Sequence, residues 1–134
     1  MPIWKAGITR NLTHKHAVNN LRLYVEQKKG IQAIWRSERT LRREEKRDEN
    51  THFADAEIRI DGIVVGVEVE LTPKEYLRIT AILPKLAEKY HLVWYFTNKF
   101  TYPVVTTALS ALSEGETITH KHFTFYSIDT FEPL

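Results

Sequence analysis

His52–Leu71, HFADAEIRIDGIVVGVEVEL, is the stretch on which the fold turns. Residues 53–60 and 63–71 are rich in Ile and Val and read as strands. Between them stands Asp61-Gly62, a strong hairpin signal, because a type I′ turn needs φ > 0 at both central positions. A two-residue turn also sets the register. Ile60 is expected opposite Ile63, Arg59 opposite Val64, Glu57 opposite Gly66 and Asp55 opposite Glu68. Side chains alternate along a strand, so Asp55, Glu57, Glu68 and Glu70 share one face. Ala56, Ile58, Ile60, Val65, Val67, Val69 and Leu71 share the other, which reads as the core face.

Two carboxylates directly opposite each other repel unless a cation lies between them. The acidic face therefore reads as a cation site, with a water-facing side of an antiparallel sheet as the alternative. Gly66, opposite Glu57, either leaves room for a ligand on that face or marks a strand kink.

Upstream, apolar residues recur at helical spacing from Thr13 (His14, Ala17, Val18, Leu21, Tyr24, Val25), and Gly30 is a stop signal, giving a helix over 13–29. Residues 1–11 carry no periodicity and are expected to form an N-terminal arm, with 12–134 as a single domain. His14 and His16 fall on different helical faces and read as surface or cap histidines. Ile31–Arg36 reads as a strand, and the highly charged segment 37–50 as an exposed loop or short helix.

Downstream, Thr72-Pro73-Lys74-Glu75 has the N-cap, first-turn proline and capping-box glutamate that start a helix. Its stripe is Tyr76, Ile79, Leu83, Leu86 and Tyr90, and Pro84 is expected to kink or split it near Thr80. His91–Thr97 reads as a buried central strand, 103–114 as a helix and 121–128 as a last strand. Trp94, Tyr95, Phe96, Phe123 and Phe125 are assigned to the core.

The charge is unevenly placed. Residues 1–47 hold 12 Lys and Arg against 4 Asp and Glu, and residues 48–134 hold 7 against 13. A basic third beside an acidic face suits a protein that holds a polyanion and sets cations against it; intermixed, solvated surface charge is the alternative. The chain has no cysteine, which excludes a disulfide framework and a thiolate metal site. No apolar run approaches the ~18 residues of a membrane span, and no signal peptide is visible. A cytoplasmic protein with no membrane partner is expected.

The element order α-β-β-β-α-β, then α-β, together with the carboxylate spacing, resembles the PD-(D/E)xK nuclease fold: a central mixed β-sheet flanked by helices. His52-Phe53-Ala54-Asp55 looks like its first acidic element, with Ala54 where Pro is typical. Glu68-Val69-Glu70 looks like the acid-x-Lys element, with Glu70 where Lys is typical, as in some restriction enzymes of this fold. A closer resemblance is to the replication-relaxation family of plasmids and other mobile elements. It is carried by Leu12-Thr13-His14 with Val18-Asn19, and by Trp35-Arg36-Ser37-Glu38 with Leu41-Arg42. His52-x-x-Asp55 and Glu68-Val69-Glu70-Leu71-Thr72-Pro73-Lys74 with Arg78 complete it, the last stretch being the most specific. That family typically has a winged-helix DNA-binding region ahead of this unit, so the chain resembles the nuclease-like half.

The resemblance implies plasmid or mobile-element DNA processing by a metal-dependent endonuclease. The alternative is a nuclease-like DNA-binding or protein-interaction module without cleavage. The implied catalytic residues are Asp55, Glu68, Glu70 and Lys74. Asp55, Glu68 and Glu70 would hold Mg²⁺ or Mn²⁺, which would polarise a phosphate oxygen and acidify a bound water. Lys74 or Arg78 would steady the charge developing on phosphorus. DNA would be gripped by Arg36, Arg39, Arg42, Arg43, Lys74 and Arg78. Expected partners are DNA, a winged-helix segment or subunit and, as an option, a second copy of the chain.

Overall fold

The computed structural model describes residues 6–29, 33–45, 51–72, 76–115 and 122–134. They form an α/β fold with a five-stranded mixed sheet flanked by helices. The elements run α1 (Ala6–Lys29), β1 (Ala33–Ser37), α2 (Glu38–Glu44), β2 (Ala56–Ile60), β3 (Ile63–Glu70), α3 (Tyr76–Lys89), β4 (Leu92–Thr97), α4 (Tyr102–Glu114) and β5 (Phe123–Ser127). Strand order follows chain order: β1, β2 and β3 pair antiparallel, whereas β3, β4 and β5 pair parallel.

The hairpin has the expected register. Ile60 pairs with Ile63, Arg59 with Val64 and Glu57 with Gly66. Asp61 and Gly62 take φ of 51° and 81°, the left-handed values a type I′ turn requires. The ladder ends at Ala56 opposite Val67, so Asp55 lies one residue beyond β2 and is not a strand partner of Glu68.

Both faces of the sheet are covered. On one, Leu21 and Val25 of α1 pack on Ala56, Ile58, Val65, Val67, Val69 and Phe96. On the other, Ile79, Leu83 and Leu86 of α3 and Val105, Ala108 and Leu109 of α4 pack with Tyr90, Val93, Tyr95 and Phe123. Two successive crossovers stepping the same way along a parallel sheet keep one hand, which places α3 and α4 on the same face. That face carries Glu57, Glu68 and Glu70, which are buried rather than spread on a solvated surface: they are 3%, 5% and 4% exposed.

Three expectations need correction, and a fourth is resolved between its alternatives. The helix over 13–29 begins at Ala6, so 6–11 are helical; propagation adds a backbone bond per residue and needs no apolar stripe once a helix is nucleated. Of the two forms expected for 37–50, the described residues 37–45 take the short helix, α2. Ser37 Oγ accepts from Thr40 N at 3.2 Å to cap α2, and Leu41 is fully buried. Helix α3 is continuous through Pro84, so the proline does not split it. Gly66 leaves no room for a ligand: a Cβ there would stand 2.5 Å from Tyr90 Cδ2, because the Tyr90 ring lies against the strand. Residues 73–75, with Pro73, Lys74 and Glu75, and residues 46–50 lie outside the described residues. Among the described residues no helix is long and apolar enough to cross a membrane.

Candidate functional site

β3 continues three residues past its last pairing with β2, to Glu70. Main-chain groups on that side of β3 have lost their strand partner and must be satisfied otherwise. Asp55 and α1 do so. Val69 N donates to Asp55 Oδ2 at 2.7 Å, and His14 Nε2 donates to Val69 O at 3.2 Å. A carbonyl can only accept, so the Nε2 proton of His14 is assigned by this contact. The same nitrogen lies 3.5 Å from Asp55 Oδ1. The main chain of Asp55 is tied down as well, because Glu38 N donates to Asp55 O at 3.2 Å. Where β2 stops, the hairpin therefore opens into a notch walled by α1, α2 and the end of β3.

The notch is a cavity of about 350 Å³. Asp55, Glu68 and Glu70 line it, with His14, His52, Arg42 and Arg78 among the other walls. Glu68 is held by His52, whose Nε2 is 2.7 Å from Glu68 Oε1. Arg42 is fixed from two sides: its guanidinium lies 4.9 Å from the Phe53 ring centroid and 3.4 Å from Glu38. Beneath the acids lies Tyr95, paired with Glu68 across β3 and β4. Its hydroxyl pKa is pushed well up, first by burial and then by the charges of Glu68, Glu70 and Asp55.

A second cavity, about 500 Å³, shares His14, Glu38 and Asp55 with the first. Lys15, Val18, Asn19, Ser37 and Arg39 complete its lining. The two cavities meet at the His14–Asp55 wall.

Of the expected site residues, Asp55, Glu68, Glu70, Arg42 and Arg78 come together at the first cavity, and Arg39 lines the second. Arg43 is exposed beside Glu44. Arg36 does not join them. Its guanidinium turns inward, 2.7 Å from Glu44 and 3.1 Å from the buried Glu57. It is held charged more firmly than usual, foremost by the Glu44 hydrogen bond. Such a group supports the fold rather than a phosphate. Glu57, on the same sheet face as Glu68, is likewise removed from the notch. It accepts from Tyr90 Oη at 2.6 Å.

The two imidazoles were not expected in the site. His52 carries a local signal, standing three residues before Asp55. His14 stands in the Leu12-Thr13-His14 piece of the resemblance, but nothing local places it at the acids, because its contact with Val69 bridges 55 residues of chain.

Among the described residues no group of three or more His, Cys, Asp or Glu is arranged to hold a metal ion. The three carboxylates share the cavity without closing such a group. No protein-family model matches this chain, and no curated protein sequence matches it.

Proposed function

We propose that this α/β chain is a nuclease-like domain of the PD-(D/E)xK type that acts on DNA in plasmid or mobile-element processing. The observation that supports it most is the notch itself. Three carboxylates from the end of one hairpin share a cavity with two guanidinium groups. Acids suit a divalent cation, and arginines suit the phosphate that such a cation would contact.

The residues fit Mg²⁺ or Mn²⁺ in donor chemistry. A magnesium site commonly uses one or two carboxylates and keeps several waters, so it needs no closed three-ligand group. Asp55 and Glu68, with Glu70, would hold the ion. When bound, it supplies Lewis-acid polarisation of a phosphate oxygen and a more acidic water. The chain's own residues do the rest. Val69 N–H and His14 orient Asp55, and His52 orients Glu68. Arg42, pinned against Phe53, and Arg78 receive and orient the phosphodiester. Lys74, two residues before α3 in the sequence, would add a further cation. Arg39 and Lys15 extend the cationic wall along the second cavity, giving the strand a path past the notch.

One feature favours a non-cleaving DNA-binding or interaction module instead. Glu70 occupies the position where the acid-x-Lys element has its helper cation.

Thermal melting with and without Mn²⁺, together with a supercoiled-plasmid cleavage assay, separates these cases. Mn²⁺ should raise the melting temperature of the wild-type chain, by an amount equivalent to ~2.7 kcal/mol at a hundred times Kd. Asp55→Asn and Glu68→Gln should lose that response, and Glu114→Gln, on α4, should keep it. A Mn²⁺ shift without cleavage of the plasmid or of a single-stranded or branched DNA identifies the binding module. No shift in the wild type, with both variants destabilised in the absence of metal, means that the carboxylates are structural and ends the nuclease proposal.

A further inference from the structure

We propose that residues 98–101 form a stacking platform for unpaired nucleobases, so that the substrate class is single-stranded or branched DNA rather than plain duplex. This rests on the notch being a DNA site.

The segment Asn98-Lys99-Phe100-Thr101 links β4 to α4 and is clamped to the end of β3. Thr101 Oγ1 donates to Glu70 O at 2.8 Å, and Asn98 Nδ2 donates to Leu71 O at 2.9 Å. Glu70 and Leu71 both line the notch. Within the loop, Asn98 Oδ1 accepts from Phe100 N at 2.9 Å and from Thr101 N at 3.0 Å. Asn98 N donates to Thr101 Oγ1 at 3.0 Å, and Thr101 is fully buried. Asn98 and Thr101 thus find their partners within the loop, at the end of β3 or just beyond it.

What the mount presents is Phe100, 63% exposed. A phenyl ring held out by a rigid loop contributes little to the core. Lys99 Nζ lies 5.1 Å from its ring centroid. An aromatic face with an ammonium beside it matches one nucleotide: the base stacks on the ring and the phosphate pairs with the cation. Continuity with the notch, where Arg42 and Arg78 already offer positive charge, favours a polyanion over an apolar protein partner. In a duplex the base faces are buried against their neighbours, so only an unpaired base can reach Phe100.

The test is fluorescence anisotropy in EDTA, comparing a labelled oligo-dT strand of about 16 nucleotides with a duplex of equal length. Wild type should prefer the single strand. Phe100→Ala should weaken single-strand binding about tenfold, leave duplex binding and the melting temperature unchanged, and be rescued by Phe100→Trp. The platform is overturned by an unchanged single-strand affinity in Phe100→Ala, by equal loss for both DNAs, or by no single-strand binding in the wild type. A dimer-to-monomer change on sedimentation of Phe100→Ala, with DNA binding intact, would also overturn it and identify a self-association surface. The two proposals fail separately. Single-strand binding that depends on Phe100, without a Mn²⁺ effect, removes the nuclease proposal alone. Mn²⁺-dependent cleavage indifferent to Phe100 removes the platform alone.

Discussion

Glu57 is a carboxylate inside the sheet's covered face, where an unpartnered charge costs several kcal/mol. Its partners are Tyr90 Oη at 2.6 Å and Arg36 Nη1 at 3.1 Å. Lys89, which also pairs with Glu45, lies 3.8 Å away. Tyr90 reaches Glu57 only because Gly66 has no side chain where the ring lies. The expected vacancy at Gly66 is thus the seat of a buried phenol. Burial, and then the hydrogen bond to Glu57, raises the Tyr90 pKa far above the usual tyrosine value. An unfolded tyrosine releases its proton near pH ~10, before the folded one does. The stabilisation from neutral Tyr90 is therefore complete below pH ~10 and is lost as pH rises from there towards the folded pKa. Tyr90→Phe should cost about 1.5–3 kcal/mol at neutral pH, read from denaturant titration, because Glu57 loses a donor. It should also lose stability less steeply above pH ~10, by up to ~1.4 kcal/mol per pH unit. Equal alkaline slopes in the two proteins would contradict a buried neutral phenol. A residual slope is expected in the variant, since Tyr95 and Tyr126 are raised by burial as well.

At the scale of elements, the hairpin stands on two left-handed residues, Asp61 and Gly62. At Gly62, with φ of 81°, a Cβ would meet nothing within 4 Å. Gly62→Ala should therefore destabilise by about 1 kcal/mol through backbone conformation alone. A urea midpoint shift at constant slope is the measurement, and no shift would mean that the turn has relaxed to another type. The hairpin was legible because its signals are local: Asp-Gly between two alternating runs specifies both turn and register. Leu41 was not, since one core residue in a charged run has no periodicity, and only its seat under α2 reveals it. The early start of α1 was equally hidden, because helix propagation leaves no pattern of its own.

At the scale of the whole molecule, the basic third divides. Arg36 is spent inside, on Glu44 and Glu57, whereas Arg39, Arg42 and Arg43 stay on the outer side of α2. If α2 forms one wall of the DNA path, neutralising these three together should flatten the dependence of log K on log salt by up to ~0.9 per lost phosphate contact. Filter binding or anisotropy over a salt series measures it. An unchanged slope would mean that the α2 arginines only solvate their helix, and would move weight to an interaction module. Adding Arg36 to the set should lower stability rather than change the slope further.

Read alone, the chain determined what depends on near neighbours. Alternation, the Asp-Gly turn and apolar stripes gave the order of strands and helices, the hairpin register and the acids on one face. Which carboxylates would meet was another matter. Asp55 was placed opposite Glu68 by extending the ladder; it instead leaves β2 and receives Val69 N–H, because β3 outruns its partner and its main chain must be satisfied. Glu57 shares the acidic face but is drawn away to Tyr90 and Arg36. His14 arrives from 55 residues away, and the mount of Phe100 is built by bonds from Asn98 and Thr101 to the end of β3. Each of these is a contact between polar groups that the fold buries or leaves without a strand partner. The need for a hydrogen-bond partner is general, but the partner is whichever side chain the packed helices bring within about 3 Å, and no local pattern encodes that choice.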